Sequence, residues 1–146
     1  MTKNDLITMQ RFSINKVYLK LIGDYPKVTW RKITRNNPGF PKWIFILYLA
    51  INRRLYTKDR LISWGMPMSP LCALCGIENE TIDQLFFKCS VSASVWEKLL
   101  RWQGINRATL TWEEELLCCE TGFTGKNCTT TMYRITLATA IYELWI

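Results

Sequence analysis

Apolar residues recur along this chain at steps of three and four, the spacing that lines one face of an α-helix, and no stretch alternates convincingly between apolar and polar positions. We therefore predict an all-α fold, a small helical domain of about seven or eight helices. The predicted helices, with their capping residues, cover residues 13–23, 29–36, 41–51, 57–65, 81–88, 95–104, 111–117 and 131–145.

Residues with known end preferences stand at the boundaries of these helices. Ser13 is placed to cap the first helix and Gly23 to end it, while Pro41 suits the first turn of the third. Thr111 and Glu114 have the spacing of a capping box. The third helix is apolar nearly all round, which predicts that it lies in the core. Its run of nine apolar residues is too short to cross a bilayer, so no membrane partner is expected.

A candidate metal site lies between the fourth and fifth predicted helices. Cys72 and Cys75 are three positions apart and are followed by Gly76, which favours a tight turn that brings two thiolates to one metal ion. Cys89 supplies a third sulfur. In the resulting pattern, Cys-x2-Cys-x8-Gln-x4-Cys, Gln84 stands where a site of three cysteines and one histidine has its imidazole, and the chain contains no histidine.

The fourth ligand position therefore has several interpretations. Asp83, Glu80, a water molecule or a remote cysteine, either Cys118 or Cys128, could complete the site. Alternatively, the turn holds no metal and is maintained by packing. Thr81 and Gln84 favour the second interpretation, because their spacing matches a capping box in which the glutamine amide bonds back to the start of the helix.

Length and composition indicate one folded domain. A chain of 146 residues with 49% hydrophobic and 13% aromatic residues can bury a substantial core. The N-terminus lacks the apolar stretch of a secretory signal, so we expect an intracellular protein, nuclear or cytoplasmic. In such a compartment the six cysteines are expected to be reduced, which favours metal ligands or buried thiols over disulfides.

The formal net charge of +7 favours polyanionic partners. Basic residues interleave with Trp30, Tyr56 and Trp64, and cations beside aromatic rings are typical of proteins that bind single-stranded RNA or DNA. The alternative is that the basic residues form an ordinary solvated surface and that the aromatic residues belong to the core. The candidate nucleic-acid-binding residues are Arg31, Lys32, Arg35, Arg53, Arg54, Lys58 and Arg60.

Catalytic signatures are missing from the sequence. Without histidine, neither a Ser-His-Asp nor a Cys-His arrangement can be built from this chain. No Tyr-x-Asp-Asp motif or phosphate-cradling Gly-x4-Gly-Lys loop is present. We therefore expect no enzymatic activity. The acidic residues 113–115 are interpreted as a helix N-terminus, and Cys118, Cys119 and Cys128 as small buried apolar residues.

Taken in order, these motifs resemble the reverse transcriptase zinc-binding domain found at the C-terminal end of plant LINE-type retrotransposon polyproteins. The resemblance covers roughly residues 12–103. The segments that carry it are Phe12-Ser13-Ile14, Trp30-Arg31-Lys32-Ile33, Pro41-Lys42-Trp43-Ile44-Phe45, Arg54-Leu55, Thr57-Lys58-Asp59-Arg60-Leu61, Trp64-Gly65, Cys72-x2-Cys75-Gly76, Thr81-Ile82-Asp83, Leu85-Phe86-Phe87-x-Cys89 and Val95-Trp96.

The resemblance implies a zinc-binding, nucleic-acid-associated module with Cys72, Cys75 and Cys89 as ligands and Gln84 at the family's histidine position. It divides the chain into an N-terminal segment (1–11), the zinc-binding-like domain (12–103) and a C-terminal helical extension packed on it (104–146). We expect a non-catalytic module that binds RNA or single-stranded DNA, with a polymerase polyprotein as a partner in trans. The alternative is a structural or protein-interaction domain, or an inactive remnant without metal.

Overall fold

The computed structural model describes residues 13–23, 28 and 30–146. These residues form seven α-helices and one π-helical turn, with an isolated antiparallel bridge between Leu71 and Asn79. The prediction of an all-α fold with seven or eight helices is confirmed. The helices are α1 (Ile14–Ile22), α2 (Arg31–Arg35), α3 (Pro41–Ile51), α4 (Lys58–Ser63), α5 (Ser90–Trp102), α6 (Trp112–Thr121) and α7 (Cys128–Trp145), and the π-helical turn is Gln84–Lys88.

Several predicted helix ends are confirmed, but α5 begins at Ser90, five residues before the predicted start, and α6 continues to Thr121, four residues beyond the predicted end. Ser13 precedes α1 as predicted, but its side chain forms no capping hydrogen bond. Gly23 follows α1 with φ +70°, a conformation that glycine adopts without steric cost. The capping box of Thr111 and Glu114 is complete in both directions at the start of α6. The predicted N-terminal segment 1–11 and the predicted cap Thr29 lie outside the described residues.

The start of α7 is three residues earlier than predicted, at Cys128 instead of Thr131. The cause is Asn127, whose side-chain oxygen accepts a hydrogen bond from the backbone N–H of Thr130 at 2.9 Å. This bond satisfies one of the free donors of the first turn, so Asn127 is a helix cap and not part of the loop.

The core lies between α3, α5, α7 and the π-helical turn, which pack against one another. Leu47 and Ala50 of α3 are fully buried, as expected for a core helix, but Phe45 of the same helix is exposed. An aromatic cluster joins the π-helical turn to the three helices that follow it. Its members are Phe86, Phe87, Trp96, Trp112 and Tyr133.

A buried carboxylate ties the C-terminal helices together. Glu115 of α6 is completely buried. Each of its two carboxylate oxygens accepts a hydrogen bond from the guanidinium of Arg107, at 2.7 and 2.8 Å. Trp96 of α5 and Tyr133 of α7 donate to the same carboxylate at 3.0 and 2.8 Å, and so does the backbone N–H of Leu110 at 3.1 Å. The carboxylate therefore connects three helices and the loop before α6 through one fully bonded group.

Helix α1 has a different environment. Its apolar residues recur at helical spacing, yet none of its residues is buried, and Ile14 is 77% exposed. The helix is amphipathic, but the described part of the chain does not cover its apolar face. None of the described helices is long and apolar enough to cross a membrane.

Candidate metal centre and basic surface

The first two cysteines lie on a tight turn closed by backbone hydrogen bonds. The N–H of Cys72 donates to the carbonyl of Glu78 at 2.7 Å, and the N–H of Gly76 donates to the carbonyl of Cys72 at 2.9 Å. Gly76 has φ +66°, which residues with a Cβ rarely adopt. The Cys-x2-Cys-Gly spacing thus folds as expected, because only glycine continues this turn without strain.

The π-helical turn brings the third cysteine to the same place. The N–H of Cys89 donates to the carbonyl of Gln84, five residues earlier, at 2.8 Å. A helix was predicted over residues 81–88, but its wider π form was not. Such turns insert one residue into a helix and are frequent at functional sites. Here the turn places the Cys89 and Gln84 side chains beside the Cys72–Cys75 turn.

The sulfur atoms of Cys72, Cys75 and Cys89 all lie within 4.8 Å of one another. In a tetrahedral zinc site with Zn–S bonds near 2.3 Å, the sulfurs are separated by about 3.8 Å. A small contraction of the observed cluster is enough to reach that geometry. Cys72 and Cys89 are buried, and Cys75 is half-buried, so the cluster is largely shielded from solvent. The three sulfurs fit three of the four ligand positions of a structural zinc ion.

The local backbone favours the thiolate at one of these sulfurs. Hydrogen bonds from the backbone N–H groups of Glu78 and Ile77 lower the pKa of Cys75 to about 7, whereas burial raises the pKa of Cys72 above its ordinary value. Zinc binds the deprotonated form of cysteine. Near neutral pH, Cys75 is therefore the thiol that gives up its proton most readily of these two.

Gln84 lies at the open corner of the cluster. Its side chain is only 6% exposed, and its Nε2 donates towards the sulfur of Cys75 at 4.0 Å. One half of the expected capping box is present, because the N–H of Gln84 donates to the hydroxyl of Thr81 at 3.1 Å. The amide itself points to the sulfur of Cys75 and forms no hydrogen bond with the start of the helix. A half-turn of the amide exchanges its nitrogen and oxygen, so the oxygen can face a metal at this corner.

The other proposed fourth ligands are not brought into the cluster among the described residues. Asp83 accepts a hydrogen bond from the N–H of Trp112 at 2.7 Å and lies 2.5 Å from Lys88, which makes it a cap for α6. Cys118 contacts Arg107 at 3.8 Å. Cys128 is exposed at the start of α7, and Cys119 is buried. The expectation that all three remaining cysteines are buried holds fully only for Cys119.

Glu80 has a role that the sequence did not suggest. One oxygen of its buried carboxylate accepts the N–H of Lys58, the first residue of α4, and the other accepts the N–H of Ala73 inside the cysteine turn, both at 3.1 Å. The ammonium of Lys58 lies 3.8 Å away. Glu80 therefore caps α4 and holds it against the cysteine turn at the same time.

Replacing Glu80 with alanine is expected to lower the free energy of unfolding by about 1–3 kcal/mol, because two backbone donors lose their acceptor. The same change should weaken zinc binding about tenfold, the usual effect of losing a group that orients ligands. Urea denaturation and competition with a chromophoric chelator measure the two effects. Glu78→Ala removes the same charge from an exposed side chain and is the control. Equal behaviour of the two variants would contradict this role.

The basic residues fall into two groups. Arg31, Lys32 and Arg35 are exposed on α2 and line a shallow cavity of about 290 Å³ together with Asn36. The second group is Arg53, Arg54, Lys58 and Arg60, before and within α4. Three of these cations already have partners within the described chain. Arg53 pairs with Glu113, Lys58 bonds to the carbonyl of Leu71, and Arg60 bonds to the carbonyl of Arg53.

An exposed aromatic pair lies next to the second group. Tyr56 and Trp64, 64% and 56% exposed, meet edge to face with ring centroids 5.7 Å apart. The guanidinium of Arg60 lies 5.0 Å from the centre of the Trp64 ring. We call Arg54, Tyr56, Lys58, Arg60 and Trp64 the aromatic-basic surface. Trp30, by contrast, is half-buried against Tyr48.

The comparison with protein families agrees with this geometry. The family model described as zinc-binding in reverse transcriptase matches residues 12–96, more than half of the chain. The chain belongs to this family. Neither the curated proteins nor the solved structures give a match. For a member of the zinc-binding family of reverse transcriptases, the three-sulfur cluster is consistent with a zinc centre, and Gln84 lies beside it.

Proposed function

We propose that the protein is a non-catalytic module that binds RNA or single-stranded DNA, derived from a reverse transcriptase of the plant LINE type. In this proposal, a zinc ion held by Cys72, Cys75 and Cys89 fixes a helical scaffold, and the scaffold presents its basic surface to the nucleic acid. A polymerase, supplied in trans or by a longer polyprotein, performs the chemistry. The module acts inside the cell, in the nucleus or the cytoplasm.

One observation carries the proposal: the cysteine turn and the aromatic-basic surface are joined by a single side chain. Glu80 bonds to the cysteine turn and to the first residue of α4, and α4 carries Arg60 and precedes Trp64. A metal at the turn would therefore stabilise the position of the surface. Exposed rings beside cations provide stacking for bases and charge for phosphates, the two contacts that single-strand binders combine.

The first test is binding of a fluorescein-labelled single-stranded RNA 20-mer, measured by anisotropy between 50 and 200 mM KCl. We expect the affinity to fall steeply with salt, because cations that contact phosphates release counterions. Trp64→Ala should weaken binding by roughly tenfold, since stacking of one base contributes about 1–3 kcal/mol.

Trp102→Ala is the matched control, because Trp102 is 72% exposed and is not part of the aromatic-basic surface. If the two tryptophan variants bind RNA equally well, base stacking on Trp64 is wrong. If the folded wild-type protein binds neither RNA nor single-stranded DNA at 50 mM salt, the nucleic-acid function itself is wrong.

That second outcome would favour the alternative function, a structural or protein-interaction domain or an inactive remnant without metal. The exposed apolar residues of α1 are the observation that favours it. Ile14, Tyr18 and Leu21 lie on one face of α1 and are all more than half exposed, and an exposed helix with an apolar face is suited to packing against another protein.

A further inference from the structure

We propose that a second anion site, built for a phosphate group, lies between the end of α2 and the start of α7, where residues of the matched family region meet residues that follow it. The site is a cavity of about 420 Å³ lined by Asn36, Pro38, Thr124, Gly125, Lys126, Thr131 and Arg134. The identification of its occupant as a nucleic-acid phosphate rests on the proposed function. The existence of the anion site does not.

Arg134 is the main reason for the proposal. Its side chain is on α7 and is only 5% exposed, yet it forms no salt bridge with any residue in the described part of the chain. One guanidinium nitrogen donates to the carbonyl of Phe123 at 2.7 Å, and Nε has no hydrogen-bond partner there. A buried charge without a counter-charge is costly, so a cation in this position calls for an anion.

The neighbouring groups do not provide the missing negative charge. Arg134 also lies beside Cys119, but burial raises the pKa of Cys119 to about 12, so this thiol stays protonated at neutral pH. The lining of the cavity contains no aspartate or glutamate. Lys126 adds a second positive charge, and the hydroxyls of Thr124 and Thr131 and the amide of Asn36 can donate hydrogen bonds. Two cations with hydroxyl and amide donors match the several acceptor oxygens of a phosphate.

The cavity is also positioned for a chain of phosphates. Asn36 lines both this cavity and the shallow cavity formed by Arg31, Lys32 and Arg35, so the two basic sites adjoin. The side-chain amide of Asn37 donates to the carbonyl of Arg134 at 2.8 Å and holds the end of α2 against α7. Successive phosphates of one strand could occupy both cavities. A free phosphate or a nucleotide would occupy only the Arg134 cavity.

The site itself is tested with inorganic phosphate, by thermal denaturation at constant ionic strength. When phosphate exceeds its Kd about tenfold, the Tm of the wild-type protein should rise by about 3–6 °C. Lys126→Ala and Arg134→Met should lose most of that rise. Lys98→Ala removes one exposed positive charge outside the cavity and should keep it. Comparing variants also cancels the general stabilisation that phosphate salts give to any protein.

Methionine is chosen at position 134 because an apolar residue of similar length can replace a buried charge without loss of the fold. If Arg134→Met does not fold, Lys126→Ala and Thr131→Val provide the same test from the rim of the cavity. An equal rise in Tm for the wild type and all variants would overturn the anion site.

The source of the phosphate is tested with the labelled RNA. If the strand runs through the cavity, Lys126→Ala should lower the slope of log K against log salt by about 0.7, the loss of one phosphate contact on a single strand. Unchanged RNA binding by this variant, with a lost response to inorganic phosphate, would assign the site to a free phosphate and overturn the nucleic-acid occupant. A protein that binds no RNA but responds to phosphate would disprove the proposed function and keep the anion site.

Discussion

Replacing Glu115 with alanine is expected to lower the free energy of unfolding by about 3–5 kcal/mol, because breaking a buried ion pair leaves the remaining charge, here Arg107, without its partner. The indole N–H of Trp96 and the hydroxyl of Tyr133 are both buried and would lose their acceptor. Arg107 would lose both of its bonds to carboxylate oxygens. Because domains of this size are stable by only about 5–15 kcal/mol, the loss is a large share of the total. Urea denaturation followed by far-UV circular dichroism measures it.

Glu113→Ala is the control for this experiment. Glu113 is two positions away on α6, and its pair with Arg53 is exposed on both sides. Exposed ion pairs contribute about 0–1 kcal/mol, so the control should unfold close to the wild type. A Glu115→Ala variant that also stays within about 1 kcal/mol of the wild type would show that the carboxylate is not central to the fold.

The Glu115 contribution should also depend on pH in a defined direction. Burial raises the pKa of Glu115, but the hydrogen bonds from Arg107, Leu110 and Tyr133 outweigh it, so the pKa lies below its ordinary value. The unfolded chain binds a proton at this group near pH 4.3 and the folded chain only at lower pH. The stabilisation is therefore complete above about pH 5 and is lost as the pH falls through the lowered pKa. The difference between wild type and Glu115→Ala should shrink between pH 5 and pH 2.

Replacing Gln84 with histidine is expected to raise the affinity for zinc about 100-fold. Structural zinc sites bind with about 10–16 kcal/mol shared among four ligands, which is about 3 kcal/mol for each one. An imidazole at position 84 would take the corner now held by an amide that lies 4.0 Å from the Cys75 sulfur. The affinity is measured by competition with a chromophoric chelator, on protein that carries no histidine tag. The Tm of the zinc-loaded variant should rise with it.

Gln103→His is the control, because it shows whether a histidine added elsewhere in the chain also raises the affinity for zinc. Gln103 also has a shielded amide, but it follows α5 and is not part of the sulfur cluster. This control should bind zinc like the wild type. Adding Cys89→Ser to the Gln84→His variant should remove the gain, because the cluster would again have three ligands. If Gln84→His and Gln103→His bind zinc equally well, the residue at position 84 does not set the affinity for zinc.

The sequence predicted the parts of the fold that depend on near neighbours. Gly23, Thr111 and Glu114 end or begin helices through contacts within four residues, so their pattern is sufficient. The exposure of α1 could not be predicted in the same way. Its spacing shows that it has an apolar face, but whether that face is covered depends on a partner surface that spacing does not describe.

For the candidate site, the sequence predicted the cysteine cluster but not the roles of the carboxylates around it. The three cysteines are close in sequence, and the structure places their sulfurs together. Glu80 and Asp83 were assigned as possible ligands, because a carboxylate near a cysteine cluster is chemically able to bind a metal. In the structure they cap α4 and α6, and their partners Lys58 and Trp112 are 22 and 29 residues away. A role set by such distant neighbours is not visible in local spacing.

The π-helical turn fixes the length of the chain between Gln84 and Cys89. Removing one residue from this segment would restore a regular helical repeat and rotate everything after it by about 100° around the axis. The helix would survive, but Cys89 would leave the sulfur corner. The extra residue of the π-helical turn is therefore what keeps the Cys89 sulfur beside those of Cys72 and Cys75.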